Sequence, residues 1–175
     1  LVTMAAARGV AATRRDRRPT ASSPAARRRM VGQSTRDTKP ERLLRSGLHR
    51  SGYRFRIHTR PVPELRRNAD VVFPRERVAV FVDGCFWHGC REHRSIPKAN
   101  SAWWQAKIDD NRARDADTDR RLRLAGWTVV RIWEHEELEG GVAKVVDAIS
   151  RARRALPGRA RRSRFRVSSA GGLDS

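Results

Sequence analysis

The sequence predicts a small mixed α/β domain between two arginine-rich ends. Three short β-rich runs come before a long polar helical stretch, and a further apolar strand and an amphipathic helix follow it. The predicted order is therefore helix, three strands, helix, strand, helix. A chain of 175 residues is long enough for one such domain with a core of its own.

The first helix begins at a predicted capping box. Thr38 would be the N-cap and Glu41 the third helical residue, with a proline in the first turn. The helix is expected to end near Gly52. Its apolar face would consist of Leu43, Leu44 and Leu48.

Three strands are predicted next, at 53–59, Ala69–Phe73 and Val78–Asp83. The last two are separated by four polar or turn-forming residues, which favours a hairpin.

The second half of the domain starts with a helix over 101–125. Its apolar residues are Trp104, Ile108, Leu122 and Leu124. Residues 127–133 form an almost entirely apolar strand, which predicts a central position in the sheet. Spacings of i, i+3, i+4 and i+7 from Val142 predict a last amphipathic helix, up to Pro157.

The two ends, 1–29 and 157–175, carry net charges of +7 and +4 and almost no large apolar residues. Such segments bury too little surface to offset the entropy lost on ordering, so we expect disorder there and an ordered domain over 30–156. The total charge of +20 favours a nucleic-acid partner. Because 35 of the 39 basic residues are arginine, codon composition is an alternative source of that charge.

No segment approaches the roughly 18 apolar residues of a membrane span, and no apolar stretch of a signal peptide follows the first arginines. We therefore expect a cytoplasmic protein. Its two cysteines lie in one loop beside histidines, which favours a metal site over a disulfide.

The cysteine-containing loop predicts a zinc site. Cys85, Cys90 and His93 offer three ligands, and His135 follows the strand at 127–133, whose end could deliver the fourth. The alternative has Cys85 as a small core residue and His93 as a surface residue.

The same region carries candidate catalytic groups. Asp70 lies within one strand and Asp83 ends the next, and carboxylates on adjacent strands are suited to binding Mg²⁺. His88 could exchange protons near neutral pH. The alternative has Asp70 as a polar residue at the end of a hairpin and His88 as another zinc ligand.

Phe86 and Trp87 are adjacent aromatic residues between the zinc ligands. In an extended loop they would point to different sides, so at least one would face outward and could wedge between DNA bases. Simple packing is the alternative, and it is the expected role of Trp103 and Trp104.

Four segments in register resemble the very short patch repair (Vsr) mismatch endonucleases. The most specific is Asp-Gly-Cys-Phe-Trp-His-Gly-Cys at 83–90. The others are Met30 followed by Thr-Arg-Asp-Thr-x-x-Glu at 35–41, Ala-Asp-Val-Val at 69–72, and the run from Gly-Trp at 126 to Ile-Trp-Glu at 132–134. The resemblance covers roughly residues 30–150.

This resemblance implies a restriction-endonuclease-like fold, with a mixed central sheet flanked by helices and a structural zinc. It implies an enzyme that nicks DNA beside the thymine of a T:G mismatch left by deamination of 5-methylcytosine. Asp70 and the Val82 carbonyl would hold Mg²⁺, His88 would be the acid–base group, and Glu41 would orient a water on the metal. Some members have His at the position of Asp83, so its role as a metal ligand or as a hydrogen-bond partner stays open.

The resemblance also assigns the remaining site residues. Cys85, Cys90, His93 and His135 would be the zinc ligands. Met30, Phe86 and Trp87 would insert beside the mismatched pair. We expect a monomer that acts at the bacterial nucleoid. Proteins of mismatch repair or of cytosine methylation are its candidate partners.

Two other functions remain open from the sequence. A restriction-type nuclease of other specificity, or a nicking partner of a modification system, would share every catalytic residue. A non-catalytic zinc-stabilised DNA-binding module would need neither the carboxylate in the strand at Asp70 nor a histidine at position 88.

Overall fold

The computed structural model describes residues 20–21, 23–31, 36–93 and 95–155. Its helices and strands, in chain order, are α1 (Pro24–Val31), α2 (Lys39–Arg50), β1 (Arg56–Thr59), β2 (Ala69–Phe73), β3 (Val78–Asp83), α3 (Ser101–Leu124), β4 (Thr128–Trp133) and α4 (Leu138–Ala155). The predicted order of elements over 39–155 is confirmed, and α1 precedes them. No helix in these ranges is long and apolar enough to cross a membrane.

The four strands form one mixed sheet in the order β1-β2-β3-β4. The first three are antiparallel, which confirms the predicted hairpin of β2 and β3, and β4 runs parallel to β3. The prediction that β4 is central is wrong, because it lies at an edge of the sheet. Its apolar composition arises because helices cover both of its faces, a situation that central and covered edge strands share.

One face of the sheet packs against α2 and α4. This core contains Leu44 and Leu48 from α2 and Val145 and Ile149 from α4, all at most 4% exposed. Gly47 allows the two helices to approach, since a Cβ there would lie 2.7 Å from Val142 Cγ2. Burial of four such aliphatic side chains stabilises the fold by roughly 1.5–3 kcal/mol each.

The opposite face packs against α3. Its core is smaller and contains Leu65, Ala69, Val72, Ala79 and Leu122. The sheet is therefore flanked by helices on both sides, as expected for the predicted fold class. Among the described residues, α3 is the helix that covers this second face, and it contributes the residues that reach the loop at 84–93.

Two details differ from the sequence analysis. Leu43 and Leu124 were expected to mark apolar faces, but they are 45% and 82% exposed. Leu43 precedes Leu44 by one residue, or 100° around the helix, and Leu124 ends α3, so neither faces the core. Helix α1 also crosses the expected boundary between 29 and 30, because alanine and arginine favour helix. Residues 1–19 and 156–175, most of the two ends expected to be disordered, lie outside the described residues.

Candidate active site and metal centre

Asp70 is a half-buried carboxylate in the middle of β2. The backbone N–H of Val82 on β3 donates a hydrogen bond to its Oδ2 atom at 2.8 Å. Burial raises the pKa of Asp70 to about 6 against the opposing effect of this N–H, and the carboxylates of Glu41 and Asp83 add to the rise. A carboxylate that is unfavourable to ionise without a cation is typical of a metal ligand. The structure thus brings together Asp70 and Val82, the two residues expected to hold Mg²⁺.

Glu41 is 5% exposed at the start of α2, and both of its oxygens accept hydrogen bonds. The Thr38 hydroxyl donates to Oε1 at 2.8 Å, and the Asp37 N–H donates to Oε2 at 3.1 Å. The predicted capping box is therefore wrong in detail, although Thr38 is the N-cap. Its hydroxyl caps no backbone N–H, because it is bound to the Glu41 carboxylate. That carboxylate is fixed close enough to Asp70 to raise its pKa.

His88 is held by an aspartate that the sequence analysis did not anticipate. Its Nδ1 atom lies 2.5 Å from Asp115 Oδ2 on α3 and 3.7 Å from Asp83 Oδ1. Although partial burial opposes it, the hydrogen bond with His88 lowers the pKa of Asp115, so this carboxylate is ionised. An ionised carboxylate on Nδ1 fixes the ring and its tautomer, which is the arrangement of an acid–base histidine.

The Asp83 carboxylate is hydrogen-bonded to a guanidinium group. Arg131 on β4 donates from one nitrogen to both Asp83 oxygens, at 2.7 and 2.9 Å. It also donates to Asp119 Oδ1 at 3.0 Å and stacks over the Phe81 ring. Burial raises the pKa of Asp83, with Arg131 opposing. This geometry favours Asp83 as a hydrogen-bond partner over a metal ligand. Arg131 had a sequence signal, since it is the lone charge within the apolar run 127–133.

The four expected zinc ligands come together. Their sulfur and nitrogen atoms lie within 4.8 Å of one another. Cys85 Sγ is 3.0 Å and Cys90 Sγ 3.8 Å from His135 Nδ1, and Cys90 Sγ is 3.9 Å from His93 Nδ1. Two cysteine sulfurs and two imidazoles at these separations suit tetrahedral zinc, with bonds of about 2.3 Å to sulfur and about 2.0 Å to nitrogen.

Two glutamates support this cluster from outside. Glu92 Oε2 lies 3.4 Å from the other ring nitrogen of His135, a common arrangement for a metal-bound histidine. The Cys85 N–H donates to Glu134 Oε1 at 2.6 Å, which joins the loop to the end of β4. The chemistry of the donor set therefore fits the expected structural zinc.

Phe86 and Trp87 lie in one aromatic cluster. Their ring centroids are 5.1 Å apart, and those of Phe86 and Trp104 are 5.2 Å apart. The expectation that they point to different sides is wrong, because residues 85–89 are coiled in turns and not extended. Both rings are nonetheless half-exposed, with the buried Trp104 behind them. Met30 belongs to α1, but its side chain lies outside the described residues.

Helix α3 anchors the backbone of this loop. The Asn111 side chain donates to the Trp87 carbonyl at 2.9 Å, and Arg112 Nε donates to the His88 carbonyl at 3.2 Å and its Nη2 to that of Gly89. Asp115, one turn after Asn111, binds the His88 ring. Sequence reasoning missed these residues, because a polar helix face alone does not show which loop lies over it.

An open cleft lies between the His88 cluster and the zinc-ligand cluster. Its walls include His88, Asp115, Arg131, Cys90 and His135. His88 and the candidate zinc ligands therefore share one solvent-accessible face.

Comparisons with known proteins identify the family of this chain. The model of the family described as DNA mismatch endonuclease Vsr matches residues 22–94. The type II nicking enzyme V.NaeI of Lentzea aerocolonigenes is 44% identical over 124 residues, which cover 70% of this chain and 75% of the relative. V.XorIIP of Xanthomonas oryzae pv. oryzae, also a type II nicking enzyme, is 43% identical over 117 residues, 65% of this chain and 83% of the relative.

The DNA mismatch endonuclease Vsr of Escherichia coli K12 is 34% identical over 102 residues, which cover 58% of this chain and 64% of that enzyme. The family model spans α1 to the zinc-ligand loop, and the alignments with the two nicking enzymes cover more than two thirds of each. The chain belongs to the Vsr family and is a DNA endonuclease.

Proposed function

We propose that the protein nicks one strand of double-stranded DNA beside the thymine of a T:G mismatch, by Mg²⁺-dependent phosphodiester hydrolysis. Such mismatches arise when 5-methylcytosine is deaminated, so the nick would start very short patch repair. The observation that carries the proposal is the position of His88. It follows the half-exposed Phe86 and Trp87 directly and is held by Asp115 on the same face of the molecule.

The Mg²⁺ ligands in this proposal are the Asp70 carboxylate and the Val82 carbonyl. Mg²⁺, when bound, would polarise the phosphate and neutralise developing charge. The other carboxylates have supporting parts. Glu41, fixed by Thr38 and Asp37, would position a water, and Asp83 would hold its hydrogen bonds to Arg131 beside the His88 ring.

His88 supplies the proton transfers. Because Asp115 holds Nδ1 at 2.5 Å, Nε2 is the ring nitrogen that can exchange a proton with the reacting water or the leaving oxygen. Asp115 stabilises the ring when it becomes positively charged. We expect Asp115→Asn to slow nicking by about 100-fold, the effect of losing a charge-assisted hydrogen bond worth about 1.5–3 kcal/mol.

The aromatic pair supplies recognition. Phe86 and Trp87 pack edge-on against Trp104, which gives them a rigid backing for insertion between base pairs. Unstacking a base step costs a few kcal/mol and least at a mismatch, so a wedge of this kind favours mispaired DNA. Met30 is a further candidate for insertion on the strength of the family resemblance.

Zinc is proposed as a structural ion held by Cys85, Cys90, His93 and His135. Its bonds would join the loop to His135, two residues after the end of β4, where Glu134 already binds the Cys85 N–H. Elemental analysis of purified protein should give about one zinc per chain, and well under one would contradict this part of the proposal.

A second candidate is a nicking enzyme of other specificity, since several relatives are named type II nicking enzymes. The catalytic residues would be the same and only recognition would differ. A non-catalytic binding module is not supported, because the family is one of endonucleases and Asp70, Glu41 and His88 are each held by specific partners.

The test uses matched labelled duplexes that carry T:G or C:G at one position. With Mg²⁺, we expect a single-strand nick beside the thymine of the T:G duplex and none in the C:G duplex. Equal cutting of both would favour the second candidate, and no Mg²⁺-dependent nick in either duplex would contradict the proposed activity.

His88→Ala serves as the catalytic control in this assay. It should abolish nicking and retain binding of the T:G duplex, because the Phe86–Trp87 pair is intact. Asp117→Asn is the matched control for Asp115→Asn. Asp117 also lies on α3, but its carboxylate is bound by Arg67, Arg120 and Arg121. A His88→Ala protein that still nicks at close to the wild-type rate would refute its assigned role. Sedimentation of the free enzyme should show the expected monomer.

A further inference from the structure

His58 lies on β1 in an unusual backbone conformation. Its φ angle is +48°, in the left-handed region that residues other than glycine rarely adopt. Its neighbours Ile57 and Thr59 pair across the sheet with Val71 and Ala69. This register places His58 opposite the residue between those two partners, which is the proposed Mg²⁺ ligand of β2. Backbone conformations of this kind are strained and are concentrated at functional sites.

The His58 ring is directed at the start of α2. Its Nε2 atom lies 3.2 Å from Asp37 Oδ1 and 3.9 Å from Glu41 Oε2, and the side chain is 17% exposed. Asp37 in turn donates its backbone N–H to that same Glu41 oxygen, at 3.1 Å. Arg45 also holds Asp37, with its Nη2 atom 2.6 Å from Asp37 Oδ1. The imidazole therefore joins the Glu41 segment to the strand that is paired with β2.

Charge effects connect the same groups. The charges of Glu41 and His58 both act on the carboxyl group of Asp70, in opposite directions. The three side chains therefore occupy one electrostatic neighbourhood, although they come from α2, β1 and β2. Because the ring lies against the Glu41 segment and its strand is paired with β2, it can fix the distance between Glu41 and Asp70.

We propose that His58 is a positioning residue of the metal site, which holds Asp37 and Glu41 in place beside Asp70. The proposal rests on the proposed function, in which Asp70 is a Mg²⁺ ligand and Glu41 acts next to it. An imidazole suits this place because its short rigid ring brings one nitrogen, Nε2, near both Asp37 and Glu41. A permanently charged lysine or arginine at position 58 would instead compete with the cation.

The experiment measures Mn²⁺ binding to the free protein by electron paramagnetic resonance, with Mn²⁺ as a probe for Mg²⁺ and no DNA present. His58→Ala should weaken binding by about 10-fold, as is usual when a residue that supports metal ligands is removed. His58→Gln, which keeps an N–H donor at similar reach, should restore most of the affinity. His49→Ala removes an imidazole from the far end of α2 and should leave binding unchanged.

His58→Gly separates the ring from the backbone. Glycine adopts positive φ freely, so this variant should be at least as stable as wild type in urea and still bind Mn²⁺ as weakly as His58→Ala. In nicking assays both variants should need more Mg²⁺ for half-maximal rate, with an unchanged KM for DNA. If the role of His58 were purely structural, the loss of Mn²⁺ affinity in the two variants would parallel their loss of stability in urea.

The outcomes distinguish the two proposals. If the wild type binds Mn²⁺ and His58→Ala binds it equally well, or if His58→Gly restores the affinity, the role of His58 is refuted and the proposed function is untouched. If the wild type nicks no duplex while the His58 variants lose Mn²⁺ affinity, the proposed activity is wrong and the role of His58 stands. A wild type that binds no Mn²⁺ overturns both the metal site and the role of His58.

Discussion

Replacing Asp70 with Asn should abolish nicking and at the same time stabilise the folded protein at neutral pH. The pKa of Asp70 is about 6 in the fold, against an ordinary value of 3.8 for an aspartate. Such a shift corresponds to about 3 kcal/mol of unfavourable free energy once the group is ionised. Because Asp70 is only half-buried, we discount this to about 2 kcal/mol.

The direction in which this stability difference changes with pH follows from proton binding to Asp70. Between pH 4 and 6 the folded state holds a proton on Asp70 that the unfolded state has lost, so the stability contributed by this group falls as pH rises. Asparagine cannot ionise and still accepts the hydrogen bond from the Val82 N–H. The free energies of unfolding of wild type and Asp70→Asn should therefore be similar below pH 4. They should differ by about 2 kcal/mol above pH 7, which is a rise of roughly 6 °C in Tm for the variant.

The assay is urea unfolding without added Mg²⁺ at several pH values from 4 to 8, paired with the T:G nicking assay at pH 8. Asp110→Asn, at an exposed position of α3, is the matched control and should show no pH-dependent gain. The reasoning is refuted if Asp70→Asn is less stable than wild type at pH 8, or if the difference does not change with pH. For the same reason, wild-type nicking should decline below about pH 6, where protons compete with Mg²⁺ for Asp70.

Three further predictions concern the surroundings of His88 and the zinc ligands. Arg131→Met should destabilise the fold by about 3 kcal/mol in urea, because it leaves the Asp83 charge buried without its guanidinium partner; adding Asp83→Asn should recover part of the loss, and no recovery would contradict the pairing. Gly89→Ala should lower Tm and slow nicking, since φ is +62° and the new Cβ would lie 2.7 Å from Ile108 Cγ2; an unchanged Tm would show that the loop can adjust. Cys90→Ser should release zinc in elemental analysis and lower Tm, whereas retention of one zinc per chain would exclude Cys90 as a ligand.

The periodic elements could be predicted from the sequence, because their signals are local. The β2–β3 hairpin and the amphipathic face of α4 follow from residues close together in the chain, and the structure confirms both. The place of β4 could not be predicted this way. Its apolar residues report that two helices cover it, and that information does not distinguish an edge from a centre.

The same distinction between local and distant signals applies to the site residues. Asp70 and the four cysteine and histidine residues are predicted from their spacing and from the family motif, and the structure brings the latter four together. Asp115 and His58 were missed, because each is defined by a partner 27 or 21 residues away in the chain. The left-handed conformation of His58 also has no sequence signal comparable to that of a glycine.

The anchoring of the loop on α3 has a consequence for how the enzyme would discriminate. The Trp87 carbonyl and the His88 ring are bound by Asn111 and Asp115, one helical turn apart. In the proposed reaction, correctly paired DNA that resists insertion of the Trp87 ring would displace that ring. His88, the proton-transfer group, would be displaced with it. Selectivity would then appear in the rate of turnover more than in affinity, since correct and incorrect sites could bind alike and differ only in reaching the transition state. Because a net charge of +20 favours binding of any DNA through its phosphates, the proposed enzyme would discriminate mainly in the reaction step and less in binding.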